Sequence, residues 1–125
     1  MKFQVLQWCE EAARELTGLI DPDVLPLTLQ AISDGIAVLW KVTGDGWHSW
    51  LITRIEKFPT GVIELVLEVI AGKNCKQILE RVFEQAKKSG IKSVRFETHH
   101  AEKIAQRFIG GLGFNRVATV FRAEL

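Results

Sequence analysis

The sequence predicts an α/β domain: a mixed, mostly antiparallel sheet flanked by helices. Three observations carry that prediction. Three β-rich segments follow one another through short glycine-containing turns, which favours antiparallel pairing. A long amphipathic segment, Cys75 to Ser89, feeds directly into another β-rich segment. A strand, a helix and a second strand in that order set two strands parallel.

From the amino end, Leu6, Cys9, Ala13 and Leu16 recur at three- and four-residue steps, so Phe3 to Leu16 reads as an amphipathic helix. Thr17-Gly18 ends it. Asp21-Pro22 is a helix-start signal, and Val24, Leu27, Leu29 and Ile32 make the stripe of a second, shorter helix. Pro26 leaves its start open. Ile36 to Val42, Trp47 to Lys57 and Val62 to Ala71 read as strands. They are joined by the turns Thr43-Gly44-Asp45-Gly46 and Phe58-Pro59-Thr60-Gly61. Regular alternation puts Ile63, Leu65, Leu67 and Val69 on one face of the third strand, with Glu64, Val66, Glu68 and Ile70 on the other.

Ile78, Leu79, Val82, Phe83 and Ala86 form the stripe of the long helix, and Gly90 stops it. Ile91 to Thr98 is a strand that buries Val94 and Phe96. A last helix over Ala101 to Gly111 and a return strand over Phe114 to Ala123 complete the order ααβββαβαβ.

At 125 residues, with 47% hydrophobic and 25% charged residues, the chain has the make-up of one soluble domain, 1-125. A net charge of +1 supplies no footprint for nucleic acid or an anionic membrane. No apolar run approaches the ~20 residues of a membrane span. Glu10, Glu11, Arg14 and Glu15 break up any leader-like stretch near the start. Cys9 and Cys75 are too few for a disulfide framework, and they lack zinc-ligand spacing. A cytoplasmic protein with two free thiols is the expectation.

Residues Val62 to Phe121 resemble the GNAT superfamily of acyl-CoA-dependent N-acyltransferases. The likeness rests on Ile78-Leu79-Glu80 followed by Ala86-Lys87-Lys88-Ser89-Gly90-Ile91-Lys92-Ser93-Val94. It rests also on Ala105-x-x-Phe108-x-x-x-Leu112-Gly113-Phe114 and on the order of elements. The chain resembles the family's compact, eroded members, such as those encoded by tailed phages and prophages. Its opening helix implies that the family's first strand is missing or replaced.

The resemblance implies that the fourth and fifth family strands splay apart to hold the pantetheine of acetyl-CoA. The pyrophosphate would then lie on backbone amides at the start of the long helix. The cofactor-binding candidates are Val69, Ala71, Gly72, Lys73, Asn74, Cys75 and Lys76. The family's loop pattern of glutamine or arginine, then glycine, then glycine or alanine falls on Ile70, Lys73 and Cys75, and all three depart from it. Lys73 and Lys76 can offset that loss as point charges, or they can simply flank a solvated loop. The family's usual tyrosine, a proton donor to the leaving thiolate, falls on Ile109 beside Phe108, and the chain has no tyrosine at all. An active member would acetylate a small amine or a protein amino group. The alternative is a catalytically inactive binding or assembly protein on the same fold, for example a phage structural protein, and either form can associate as a homo-oligomer.

Proton acceptors for an amine come from Glu68, His99 and His100. Glu64 and Glu68 share a face of a central strand, where partial burial can lift a carboxyl towards neutral pH. The competing reading pairs Arg54 with Glu64 across the hairpin. His99 and His100 follow the fifth strand at its carboxyl edge, a common ligand position, though either can serve as a mere helix cap. Thr98 could accept a hydrogen bond in the same place. Cys75 sits where a helix dipole lowers a thiol pKa, yet a small buried cysteine is the commoner outcome. In Trp47-His48-Ser49-Trp50, His48 and Trp50 alternate onto one face, with Trp50 expected in the core.

Overall fold

The computed structural model describes residues 1–97, 112–114, 121 and 123–125. It opens on a strand, β1 (Lys2–Leu6), followed by helix α1 (Glu10–Leu16) and a single 3-10 turn (Thr17–Leu19). The expected opening helix and the expected loss of a first strand are therefore corrected. Phe3 and Leu6 pack into different cores, on opposite faces of the sheet. One helix stripe could not place them so, but a strand does. The helical spacing that began at Leu6 is genuine only from Cys9, the extended N-cap of α1.

Helix α2 (Leu25–Ser33) starts with Pro26 in its first turn and buries Thr28 and Ile32. Its core stripe runs through Leu25, Thr28 and Ile32, so the predicted stripe is out of phase. Leu27 is 70% exposed. Strands β2 (Ala37–Gly44), β3 (Trp47–Lys57) and β4 (Ile63–Gly72) follow, then helix α3 (Cys75–Lys88) and β5 (Ser93–Phe96). The predicted last helix, Ala101–Gly111, and residues 115–120 and 122 of the return strand predicted over Phe114 to Ala123 lie outside the described residues.

The sheet runs in the order β1-β2-β3-β4-β5, antiparallel throughout except for the β4–β5 pair. A fourteen-residue α3 makes the crossover that a parallel pair needs. Each face of the sheet carries its own core. Ala12, Leu16, Ile32, Leu39, Trp50 and Ile52 pack with α1 and α2 on one side. Val42, Leu51, Leu65, Leu67, Ile78 and Leu79 pack with α3 on the other.

A β-bulge interrupts β4. Ile52 pairs with Val69 but Thr53 pairs with Leu67, which leaves Glu68 as the extra residue. One inserted residue reverses the facing of everything beyond it. Leu65 and Leu67 face α3, whereas Val69 and Ala71 face α1 and α2. The unbroken alternation predicted for this strand is corrected accordingly.

The predicted Arg54–Glu64 pairing is also replaced. Arg54 lies opposite Val66, and its Nε donates to Glu68 Oε1 at 2.7 Å. Glu64 lies opposite Glu56, a repulsive arrangement that Arg95 of β5 relieves by bonding both carboxylates. Arg95 also lies 3.2 Å from Glu97, and this pair lacks hydrogen-bond alignment at Nε.

Candidate active site

The described β4–β5 ladder runs from Glu64–Ser93 to Leu67–Phe96. Beyond it β4 continues through Glu68 to Gly72, paired on its other edge with β3 as far as Ser49–Gly72. Among the described residues the parallel ladder thus reaches Leu67, next to the bulge at Glu68.

The join from β4 to α3 is a tight loop. Gly72 has φ +117°, a conformation that disfavours side chains. A Cβ built there would meet the Ser49 hydroxyl and lie 2.8 Å from Ser49 Cα, so only glycine fits against β3. The buried Ser49 hydroxyl donates to the Lys73 carbonyl and fastens the loop. Asn74 is left-handed at φ +58°, a region asparagine tolerates better than most residues.

Helix α3 begins at Cys75, and the first bond to the Asn74 carbonyl comes from the Ile78 amide. The amides of Cys75, Lys76 and Gln77 are thus the helix's free donors. No acidic residue occupies the first turn, while Lys73 and Lys76 are exposed beside it. The Cys75 side chain points inward: it is 8% exposed, and its thiol donates to the Gly72 carbonyl at 3.4 Å. Burial pushes that thiol's pKa up. The expected small buried cysteine is thus what the structure shows, since desolvation outweighs the helix end.

Beside this loop lies a cleft of about 430 Å³, lined by Glu15, Leu19, Trp47, His48, Trp50 and Lys73 among others. Glu15 of α1 is one of its walls. The Trp50 indole donates to Glu15 Oε2, and His48 Nε2 lies 2.8 Å from Oε1. These two bonds, Trp50's first, hold the Glu15 carboxyl below the usual carboxylate range. Trp50 is 2% exposed, as predicted for a core residue. The His48 ring meets Trp50 edge-on at 6.1 Å, and Lys41 Nζ stands 5.7 Å from the centre of a Trp50 ring. Lys41 is itself paired with Glu11 at 2.6 Å.

The sequence matches no protein-family model and no curated protein. Solved structures do resemble it. A ribosomal-protein-alanine N-acetyltransferase from Brucella melitensis biovar Abortus 2308 superimposes with TM-score 0.72 at 12% identity, covering 100% of both chains. An aminoglycoside antibiotic 6'-N-acetyltransferase from Acinetobacter haemolyticus gives TM-score 0.64 at 14% identity, over 100% of this chain and 98% of that one. An aminoglycoside N-acetyltransferase in complex with CoA gives 0.62 at 15% identity, over 99% and 98%. The chain has the GNAT fold.

Within the GNAT fold the predicted site residues fall into three groups. Gly72, Lys73, Asn74, Cys75 and Lys76 form the loop and helix start, with Val69 and Ala71 on the β4 segment that leads into it. Glu68 stands at the β4 bulge, with its carboxylate engaged by Arg54. Thr98, His99 and His100 lie outside the described residues, as do Phe108 and Ile109. Leu112 and Phe114 pack on the α3-side core, and Phe114 meets Phe83 at 5.4 Å.

Sequence reasoning missed Glu15. Its only signal was position: it sits one residue before Leu16 on a helix whose buried face turns towards β3. Ser49 was legible as strand, but its grip on the Lys73 carbonyl was not. Among the described residues, no helix is long and apolar enough to cross a membrane, and no cluster of side chains could hold a metal ion.

Proposed function

We propose that the chain is an acetyl-CoA-dependent N-acetyltransferase acting on an amine. The observation that carries this reading is the loop at 72–76. It presents free amides and two lysines, without an acidic side chain, at the carboxyl end of β4. The departures from the family's glycine pattern are compatible with it. The Cys75 side chain is turned into the protein and so does not project over the loop, and Gly72 supplies the tight turn one residue earlier than the pattern does.

Bound acetyl-CoA supplies a thioester whose carbonyl carbon the amine attacks, forming a C–N bond as the C–S bond breaks and the coenzyme leaves as a thiol. Lys73 and Lys76 neutralise phosphate charge, and the amides of Cys75, Lys76 and Gln77 orient it. Glu68 is the carboxylate at the β4 bulge, and taking up a proton there requires loosening its Arg54 contact. His99 and His100 remain proton acceptors on this reading. A phenolic donor is excluded by composition, so the thiolate must take its proton from another group or from water. Free Cys9 and Cys75 agree with a cytoplasmic setting.

A second reading is a non-catalytic binding or assembly module. It is favoured by Lys73 and Cys75 at the glycine positions and by the missing tyrosine. Thermal shift with acetyl-CoA decides between the two. At about 100 times its dissociation constant, acetyl-CoA should stabilise the protein by about 2.7 kcal/mol. Lys73→Glu should abolish that shift. No shift at millimolar acetyl-CoA would leave the non-catalytic module standing.

A further inference from the structure

Strand β1 is the outer strand at one end of the sheet, and among the described residues nothing pairs with its second edge. A free edge offers a row of backbone donors and acceptors to any passing strand, so folded proteins protect such edges with prolines, bulges or charges. Lys2-Phe3-Gln4-Val5-Leu6 carries little of that protection. It contains no proline, it pairs with β2 without a register shift, and its one charge stands at its end. Near its centre Val5 is 57% exposed. Val5 lies opposite Trp40 and shares a face with Phe3, whose ring meets Trp40 edge-on at 6.3 Å. The edge thus carries an apolar strip, Phe3, Val5 and Trp40, on the α3 side of the sheet. Lys2, Gln4 and Leu6 face the α1 side.

We propose that β1 pairs with β1 of a second copy, antiparallel across a two-fold axis, to make one continuous sheet through both copies. The edge is complementary to itself. With Gln4 facing the partner's Gln4 on the axis, all five residues pair, and Phe3 falls opposite the partner's Val5 on both sides of that axis. The apolar strips then meet on one face, in cross-strand pairs of aromatic and β-branched side chains. On the other face Lys2 falls opposite the partner's Leu6, so no like charges meet. Charge favours the same arrangement. Each Lys2 is brought to the carboxyl end of the opposite strand, from which the chain runs into the acidic first turn of α1, Glu10 and Glu11. The Glu10 side chain is 91% exposed, with Arg14 no closer than 3.7 Å. A parallel pair would instead set the two lysines side by side. A five-residue seam is short for a permanent interface, so the dimer forms reversibly. It requires no acetyl-CoA and stands apart from the transferase reading.

Sedimentation velocity of the intact chain over a range of micromolar concentrations reads the association, and a monomer–dimer equilibrium is expected. Val5→Lys, at a position already exposed, should weaken it by about ten-fold or more, because each copy then carries an ammonium into the apolar strip. Gln4→Cys reads the register. Side chains directly opposite hold their Cβ atoms about 4.5 to 5.5 Å apart, near the reach of a disulfide. Mild oxidation should therefore link Gln4→Cys into a covalent dimer, whereas Leu27→Cys, 70% exposed on α2, should link no more than the parent. A chain that stays monomeric throughout overturns the proposal, even if it captures an extended peptide from elsewhere. So does a dimer that Val5→Lys leaves intact, or a Gln4→Cys protein that links no more than Leu27→Cys, since the contact then lies on another surface.

Discussion

Glu15 has a lower pKa in the folded protein than its ordinary value near 4.5, because Trp50 and His48 donate to its charged form. A carboxyl of that kind stabilises the fold above its unfolded pKa and loses the contribution as pH falls through the folded one. The window therefore opens at about pH 4.5 and extends to lower pH. Glu56, held below its usual range chiefly by the Arg95 hydrogen bond, acts with the same sign. The informative quantity is consequently the difference between proteins. Glu15→Gln should be less stable than the parent at neutral pH, and the gap should close as the medium is acidified below that window. Urea midpoints at a series of pH values measure it; a gap that widens in acid would contradict the assignment of Trp50 and His48 as donors to a charged Glu15.

At the scale of elements, β3 was legible to the residue, Trp47–Lys57, because glycine turns bound it on both sides. The start of α3 was legible too, since its stripe is long and unambiguous. β1 was not, because Leu6 continues the spacing of α1 by coincidence of phase. The bulge left little compositional trace: apart from Glu68 itself, Leu65-Val66-Leu67-Glu68-Val69-Ile70 is apolar on both faces, so a slip of one keeps the hydrophobic pattern. The β4–α3 join was placed correctly, but its fastening to β3 through Ser49 needed coordinates. That fastening makes a test. Gly72→Ala must strain a positive φ and push against Ser49 backbone, whereas Gly61→Ala strains a φ of +87° in open space. Strain alone costs of order 1 to 3 kcal/mol. Chemical denaturation should therefore show Gly72→Ala as the more damaging of the two, and acetyl-CoA affinity should fall only there. Equal costs would mean that the loop is not locked against β3.

For the molecule as a whole, the two cores never touch directly; the sheet lies between them. Ile32 is 3% exposed on the α1–α2 side, and Ile78 is 1% exposed under α3. Leu39 and Ile52 face the first core while Val42 and Leu51 face the second, so the same strands belong to both. Loss of either core should strip apolar cover from strands that the other core needs, and one cooperative transition is the expected result. Each of Ile32→Val and Ile78→Val should cost about 0.5 to 1.5 kcal/mol. Because the sites share no partner, the double variant should equal the sum within about 0.5 kcal/mol, with the denaturant slope unchanged. Far-ultraviolet circular dichroism reports the helices and tryptophan fluorescence reports mainly Trp40, Trp47 and Trp50 of the sheet. The two probes should coincide in all four proteins. Separate transitions in the Ile32 variant, with the α3 side surviving, would mean that the Glu15 cleft can open while the loop at 72–76 stays folded.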